Sequence, residues 1–382
     1  MRKFLAVSTV FMLSLGSVAA FGQEVSSDEV LEKLQQLEQK VAELEKENES
    51  LRSLVRKSGY TVMPRKRTEK LQVDGRVLLR WDQSNQDGKN LYGESSNGLV
   101  ARKVRFRFHG NLNDNIGYMI HVRADRGSSV QLWDAFIDYK FDAVPLKLRM
   151  GQQKIPVSMS YLKPGPKLIF PERPVVVNNM GSANRDLGVR AILSPMKNLK
   201  LEASIMNGER FVSDGKMYNS DKKYDYILAV DTVPVNNGDF KWRIRAAYET
   251  GYDKAKYIGS IVKRNLVDIE TRLDVKTLGL ALEGGYLHDN PDKSGWGNAE
   301  GFYAQADYAV PGLQKLHLIG RYSEFDPDTN KSNDEEKYAS AGFYYLLNGW
   351  QAAIRGAYVH VIDSDKDKDF DDLISAEFQL LF

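Results

Sequence analysis

The chain has 382 residues, with 53 Lys+Arg against 51 Asp+Glu, 42% hydrophobic residues and no cysteine. Near-neutral bulk charge argues against a generic nucleic-acid binder, and the missing cysteines exclude a disulfide scaffold, a thiol nucleophile and cysteine-ligated zinc or iron–sulfur sites. A mean hydropathy of −0.44, with no later apolar run of spanning length, excludes a helical membrane protein but not a membrane barrel, whose strands are only half apolar.

Residues 1–20 have the three parts of a secretory signal: Arg2 and Lys3, an apolar run from Phe4 to Leu15, and small residues at Val18-Ala19-Ala20. The mature chain is therefore expected to be exported. Residues 25–57 then carry a heptad seam, with Leu34, Val41, Asn48 and Val55 at one core position and Val30, Leu37, Leu44 and Leu51 at the other. The narrow stripe predicts a self-associating coiled coil, in which Asn48 fixes register; its strand number is left open. Gly59 and Pro64 end that helix, and residues 58–70 form a linker with the basic run Arg65-Lys66-Arg67.

From Leu71 to Phe382 the polarity alternates in segments of about ten residues, the pattern of transmembrane strands. Sixteen such segments are predicted, near 71–82, 99–110, 115–125, 130–141, 145–154, 186–194, 199–207, 223–233, 239–250, 264–275, 277–287, 300–310, 314–325, 337–346, 350–362 and 372–382. Every second connection is short and turn-like, and the intervening ones are mostly long and polar. A soluble sandwich has no reason to sort its connections by parity, whereas an outer-membrane barrel puts short turns on the periplasmic side. The expected architecture is all-β, a sixteen-stranded antiparallel transmembrane β-barrel over 71–382 with a periplasmic coiled-coil helix before it. The last segment alternates Ile374, Ala376, Phe378, Leu380 and Phe382 against polar residues, resembling the terminal strand read by the outer-membrane assembly machinery. Trp81, Trp133, Trp242 and Trp350 are expected at the lipid interfaces.

The polar faces of the strands then line the lumen. By alternation Arg76, Arg80, Lys103, Arg105, Arg107, His109, Arg123, Lys147, Arg149, Arg190, Lys241, Arg243 and Arg245 point inward, as do Asp268, Glu270, Asp274, Glu283 and Asp307 on later strands. Residues 1–70 hold 12 basic and 10 acidic residues, so 71–382 balance at 41 of each. An anion preference must therefore come from placement: a basic arc over the first six strands facing a more acidic wall. The competing arrangement pairs those cations with Asp74, Asp134 and Asp138 and merely stiffens the wall. The connection 155–185 is unusually apolar for an exposed loop and carries Lys163, Lys167 and Arg173 against a single Glu172, so it is expected to fold inward and narrow the lumen. Packing on a neighbouring protomer is its rival.

The stretches ARKVRFRFHGNL (101–112), VQLWDAFIDYKF (130–141), GQQKIP (151–156), FPER (170–173) and NRDLGV (184–189) follow in this order, and through them residues 71–382 resemble the phosphate-selective porin O/P family. That resemblance implies a sixteen-stranded barrel, usually trimeric, whose third long loop enters the channel and whose lumen arginines and lysines guide anions. It implies the loop role for 155–185 and a basic lumen role for Arg105 and Arg107. The chain departs from the pattern where many members have a Glu after the GQ-x-K-x-P stretch; here Val157-Ser158-Met159-Ser160 follows.

The expected function is an outer-membrane porin passing small anionic solutes, with phosphate or polyphosphate as candidates. The implied partners are outer-membrane lipid, two further copies of the chain, and the cell wall through the N-terminal segment. In the alternative, the coiled coil and linker tether outer membrane to cell wall and the barrel is only the anchor. No cofactor, metal or nucleic acid is implied. The histidines His109, His121, His288, His317 and His360 form no zinc-protease spacing and sit beside no serine nucleophile, so no enzyme is expected. Asp363, Asp365, Asp367 and Asp369 fail as a calcium loop, because Lys368 and Ile374 occupy the Gly and bidentate Glu positions.

Overall fold

In lipid every backbone N–H and C=O must be satisfied within the protein, so alternating strands that cross a membrane must close on themselves. The computed structural model describes residues 32–33, 35–36, 38–46, 71–84, 97–127, 129–180, 185–208, 222–254, 257–363 and 372–382. Residues 68–382 form one unit, a closed barrel in which each strand pairs antiparallel with its sequence neighbours and the first pairs with the last. The strands are β1 (Gln72–Ser84), β2 (Gly98–Asn111), β3 (Ile116–Arg123), β4 (Gln131–Lys140), β5 (Leu146–Lys154), β6 (Arg185–Met196), β7 (Leu199–Met206) and β8 (Asp225–Asn236). They continue as β9 (Phe240–Lys254), β10 (Ile261–Val275), β11 (Leu280–Asp292), β12 (Ala299–Ala309), β13 (Leu316–Asp326), β14 (Glu336–Trp350), β15 (Ala352–Asp363) and β16 (Leu373–Leu381). All sixteen segments expected from the alternation are present, shifted by a few residues at their ends. Among the described residues no helix is long and apolar enough to cross a membrane.

Outward positions carry the lipid-facing side chains, for example Leu79, Phe106, Ile137, Leu228, Ile269, Phe302 and Phe378, all exposed in the isolated chain. Trp81 and Trp242 are outward as expected. Trp133 and Trp350 are not. Trp133 is 6% exposed and lines the lumen, because the register between β3 and β4 slips between His121 and Val122, leaving Trp133 as the extra residue of a bulge. Trp350 lies at the end of β14 and packs on Tyr344 inside the wall, with ring centres 5.1 Å apart.

The connection after β5 folds inside the barrel. It contains a short helix α1 (Met159–Leu162), a 3₁₀ turn at Gly165–Lys167 and a second helix α2 (Val175–Asn179). Its side chains Ile155, Val157, Tyr161, Val176, Val177 and Met180 pack on inward residues of β7–β13, among them Met206, Ile227, Leu266, Leu287, Ala299 and Phe325. Ile169 and Phe170 meet Ile319, Tyr344 and Ala357 farther round. Burying one such side chain contributes roughly 1.5–3 kcal/mol, so this face is driven onto the wall rather than into the water of the lumen.

Polar anchors fix the docking. Glu270 on β10 accepts from the Ser158 hydroxyl at 2.9 Å and from Ser160 N–H at 3.0 Å, while Ser158 caps α1 through Tyr161 N–H. Leu168 O accepts from Arg355 at 3.2 Å. Gly301 on β12 leaves the space that Val176 fills: a Cβ there would lie 2.8 Å from Val176 Cγ2 and 2.3 Å from Glu324 O.

In the separate N-terminal unit, residues 38–46 are helical and Val41 and Leu44 are exposed. The other seam positions (Val30, Leu34, Leu37, Asn48, Leu51 and Val55), the signal segment and the 58–70 linker lie outside the described residues, as does 364–371.

Two substitutions test the docking. Gly301→Ala overpacks the contact at a cost of about 1–3 kcal/mol, and Glu270→Ala strands buried donors at about 1–3 kcal/mol each. Both variants should keep the heat-modifiable gel mobility of a closed barrel while protease cleavage within 159–180 and current flicker increase. Unchanged cleavage in both would show that the loop is not held by these contacts.

Candidate functional site

With much of β7–β15 covered by the loop, the open part of the lumen lies chiefly against β1–β6, and Lys200, Arg243, Arg272 and Glu283 reach it from β7, β9, β10 and β11. A cavity of about 1110 Å³ occupies it. Sixteen Lys or Arg side chains line this cavity against five acids, Asp74, Asp125, Asp134, Glu172 and Glu283. The barrel segment as a whole has equal numbers of each sign, so the imbalance arises from sorting. Asp268 and Glu270, which alternation placed on an acidic wall facing the lumen, are fully buried under the loop. Asp225, Glu249, Asp253 and Asp289 are likewise buried, around Arg264, which reaches Asp253 at 2.9 Å and Asp289 at 2.7 Å.

β2 supplies the spine of the basic wall. Lys103, Arg105, Arg107 and His109 occupy successive inward positions from the long-loop end toward the turn end, a ladder of about 20 Å at the usual strand rise. Arg105 makes a two-point pair with Asp125 at 3.0 and 2.5 Å, and Arg107 reaches Asp74 at 2.7 Å. Arg76 on β1 lines the same cavity and donates to Gln379 at 2.8 Å. On β5, Arg149 pairs with Asp138 at 2.7 and 2.8 Å. Arg190 on β6 meets Glu202 at 2.6 Å, and Arg243 on β9 meets Asp231 at 2.9 and 2.5 Å. Trp133 gives the arc an aromatic floor: Arg123 lies 3.5 Å and Arg185 4.2 Å from its ring centre.

Both arrangements foreseen for the lumen charges are therefore present together. Most of the guanidinium groups are paired, but one acid serves several cations. Asp134 takes Arg185 and His121, Asp125 takes Arg105 and Arg123, Glu172 takes Arg80 and Arg102, and Glu283 takes Lys163 and Arg272. The pairing holds the side chains in place and leaves the lining cationic.

Some residues expected in the lining are elsewhere. Arg245 is 0% exposed beneath the loop, donating to Val157 O at 2.9 Å and to Pro156 O, because the docked loop covers its strand. Arg80 is also fully buried, outside the cavity lining, and reaches the lining residue Glu172 at 2.7 Å. Lys147 turns to Asp138 at 3.5 Å, outside the cavity lining. Lys241 and Lys167 are exposed and are also not part of the lining. Within the loop, Lys163 reaches Glu283 at 3.0 Å, while Arg173 is spent on the carbonyls of Ser160, Tyr161 and Lys163.

The cavity also contains cations that alternation misses. Arg102 faces inward because the register between β1 and β2 slips at Leu78/Leu79, so Arg102 and Lys103 both reach the lumen. Lys154 and Arg185 flank the loop at the ends of β5 and β6, and Lys154 caps the carbonyl end of α1 through Tyr161, Leu162 and Lys163. The dense run of basic residues in 101–107 was the available signal for Arg102; nothing local marks Arg185.

The loop's own charges respond to this setting. Burial works against the charge on Glu172, but Arg102, Lys103 and Arg80 outweigh it and hold the carboxyl well below the ordinary glutamate range. Burial lowers the Lys163 ammonium from its usual value, with Glu283 pulling the other way.

Solved structures share the fold, three among them as follows. The outer-membrane channel DcaP of Acinetobacter baumannii aligns with a TM-score of 0.58 at 14% identity, covering 82% of this chain and 97% of that one. The trimer form of OmpT from Vibrio cholerae gives 0.57 at 11%, covering 82% and 99%. An anion-selective porin from Comamonas acidovorans gives 0.57 at 11%, covering 82% and 99%. A search of curated protein sequences returns no match. The family model described as phosphate-selective porin O and P matches residues 71–382. The chain, an outer-membrane channel by family and fold, belongs to the phosphate-selective porin O and P family.

Proposed function

We propose that the channel prefers anions, and that the basic wall of β1–β6 is the surface along which they pass. The observation that carries this is the sixteen-to-five excess of cationic over acidic side chains in the cavity of a barrel with no net charge of its own. Rings and arcs of Arg and Lys favour anions, and paired guanidinium donors match phosphate oxygens. Lys103, Arg105 and Arg107 form the guiding ladder, with Arg76, Arg123, Arg149, Arg190 and Arg243 beside it. Lys163 and Arg173 belong to the constricting loop, Arg173 by holding its backbone. Arg245 acts as a support under that loop, while Arg80, held by Asp82 at 2.9 Å, presents its guanidinium to Glu172 at the cavity edge. The anion selectivity recorded for the Comamonas acidovorans porin is in line with this assignment, and phosphate or polyphosphate are the candidate solutes. A homotrimer is proposed on the precedent of OmpT, with the N-terminal helix as a self-associating segment.

Refolded mature protein in a planar bilayer under a KCl gradient should give a reversal potential toward the chloride value, with block by millimolar phosphate. A potential at or beyond zero toward potassium would overturn the anion assignment. Deleting residues 160–178 should raise single-channel conductance and also reduce anion preference, because Asp268 and Glu270 are uncovered. A wider channel with undiminished anion preference would show that the sorting of charge by the loop plays no part.

A further inference from the structure

Glu172 is the sole acid of the inward loop, and its side chain reaches out of the loop to the basic wall. One carboxylate oxygen, Oε1, lies 2.7 Å from Arg80 Nη1 and 2.6 Å from Arg102 Nη2. Glu172 and Arg102 both line the open cavity, and Lys103, the next residue on β2, lines it beside them. The backbone of Glu172 is held independently: its carbonyl accepts from Arg321 at 2.8 Å, and Arg321 lies 4.2 Å from the Phe170 ring centre. The side chain can therefore leave its partners without undocking the loop. Guanidinium N–H groups receive a carboxylate and a phosphate oxygen in the same geometry, so the donors that hold Glu172 are those that hold a free oxyanion.

We propose that Arg80, Arg102 and Lys103 form an oxyanion-binding site which Glu172 occupies as a tethered competitor. A permeating anion displaces the carboxylate, and the carboxylate in turn displaces the anion toward the next cations on β1 and β2, Arg76 and Arg105. A site of this strength without a competitor would trap its anion; conduction requires binding firm enough to enter and weak enough to leave. This inference rests on the anion-preferring assignment made above and adds the residue that sets its affinity.

The test compares wild type with Glu172→Gln in the planar bilayer, with inorganic phosphate as the blocking ion and chloride as the carrier. Glutamine keeps the length of the side chain and leaves the Arg321 bond to the backbone intact. The half-blocking phosphate concentration should fall about tenfold, the order expected for removing one close charge from a partly desolvated cluster, and the reversal potential should move further toward chloride. Arg102→Gln removes a site cation and should shift both quantities the opposite way. An unchanged or weaker phosphate block in Glu172→Gln, with wild type anion-selective, overturns the tethered competitor alone. A wild type without anion preference removes the assignment beneath it instead. If Glu172→Gln yields no heat-modifiable barrel, Arg102→Gln decides: undiminished phosphate block in that variant overturns the site.

Discussion

Everything distinctive in this channel depends on the apolar face of one loop lying against one side of the barrel. A water-filled lumen favours polar inward positions, yet Met206, Ile227, Leu266, Leu287 and Phe325 point inward from β7–β13. Left bare, they would expose a large apolar surface to the pore. The loop covers them with Ile155, Val157, Val176, Val177 and Met180, and the cover extends over the carboxylates Asp268 and Glu270. Hydrophobic burial thus decides an electrostatic outcome: the lumen becomes basic because half of its wall, including much of its acid, is withdrawn from it.

The remaining wall is organised by ion pairs rather than by free charges. Isolated arginines in a lumen would sample many rotamers and solvate fully. Here Asp125, Asp138, Glu202 and Asp231 each grip a guanidinium, and Trp133 supports two more from below. Because one carboxylate serves two or three cations, order does not cost the wall its sign. Loop docking, side-chain order and net field are successive consequences of one packing event, with Glu172 as the point where the loop's own charge re-enters the pore.

Much of this was legible in the sequence. Period-two polarity with connections sorted by parity located all sixteen strands, and the apolar stretch around Leu168–Phe170 announced that its loop would not stay in water. The inward ladder Lys103, Arg105, Arg107 followed from alternation alone. Alternation also explains the misses. One extra residue in a bulge reverses the side on which everything beyond it falls, so Trp133 was expected at the lipid face and Arg102 was left out of the inward set. Inward leucines such as Leu78 and Leu266, both fully buried, contradict the rule that lumen faces are polar, and only the covering loop makes sense of them. Arg245 was placed on the correct face but not in the pore, since the loop that buries it is contributed by residues almost ninety positions earlier. Facing is a local property that sequence reports well; accessibility is a tertiary property that it does not.

The contact between loop and wall also gives this membrane protein something most barrel surfaces lack, a core of the soluble kind. Apolar groups packed away from water carry a heat-capacity signature, and their cohesion weakens on cooling. The hydrogen-bonded strands, sealed in hydrocarbon, do not share that temperature dependence. Temperature therefore acts unevenly on the molecule: cold relaxes the seam between loop and barrel before it touches the barrel itself, and the bore is set by the softer of the two.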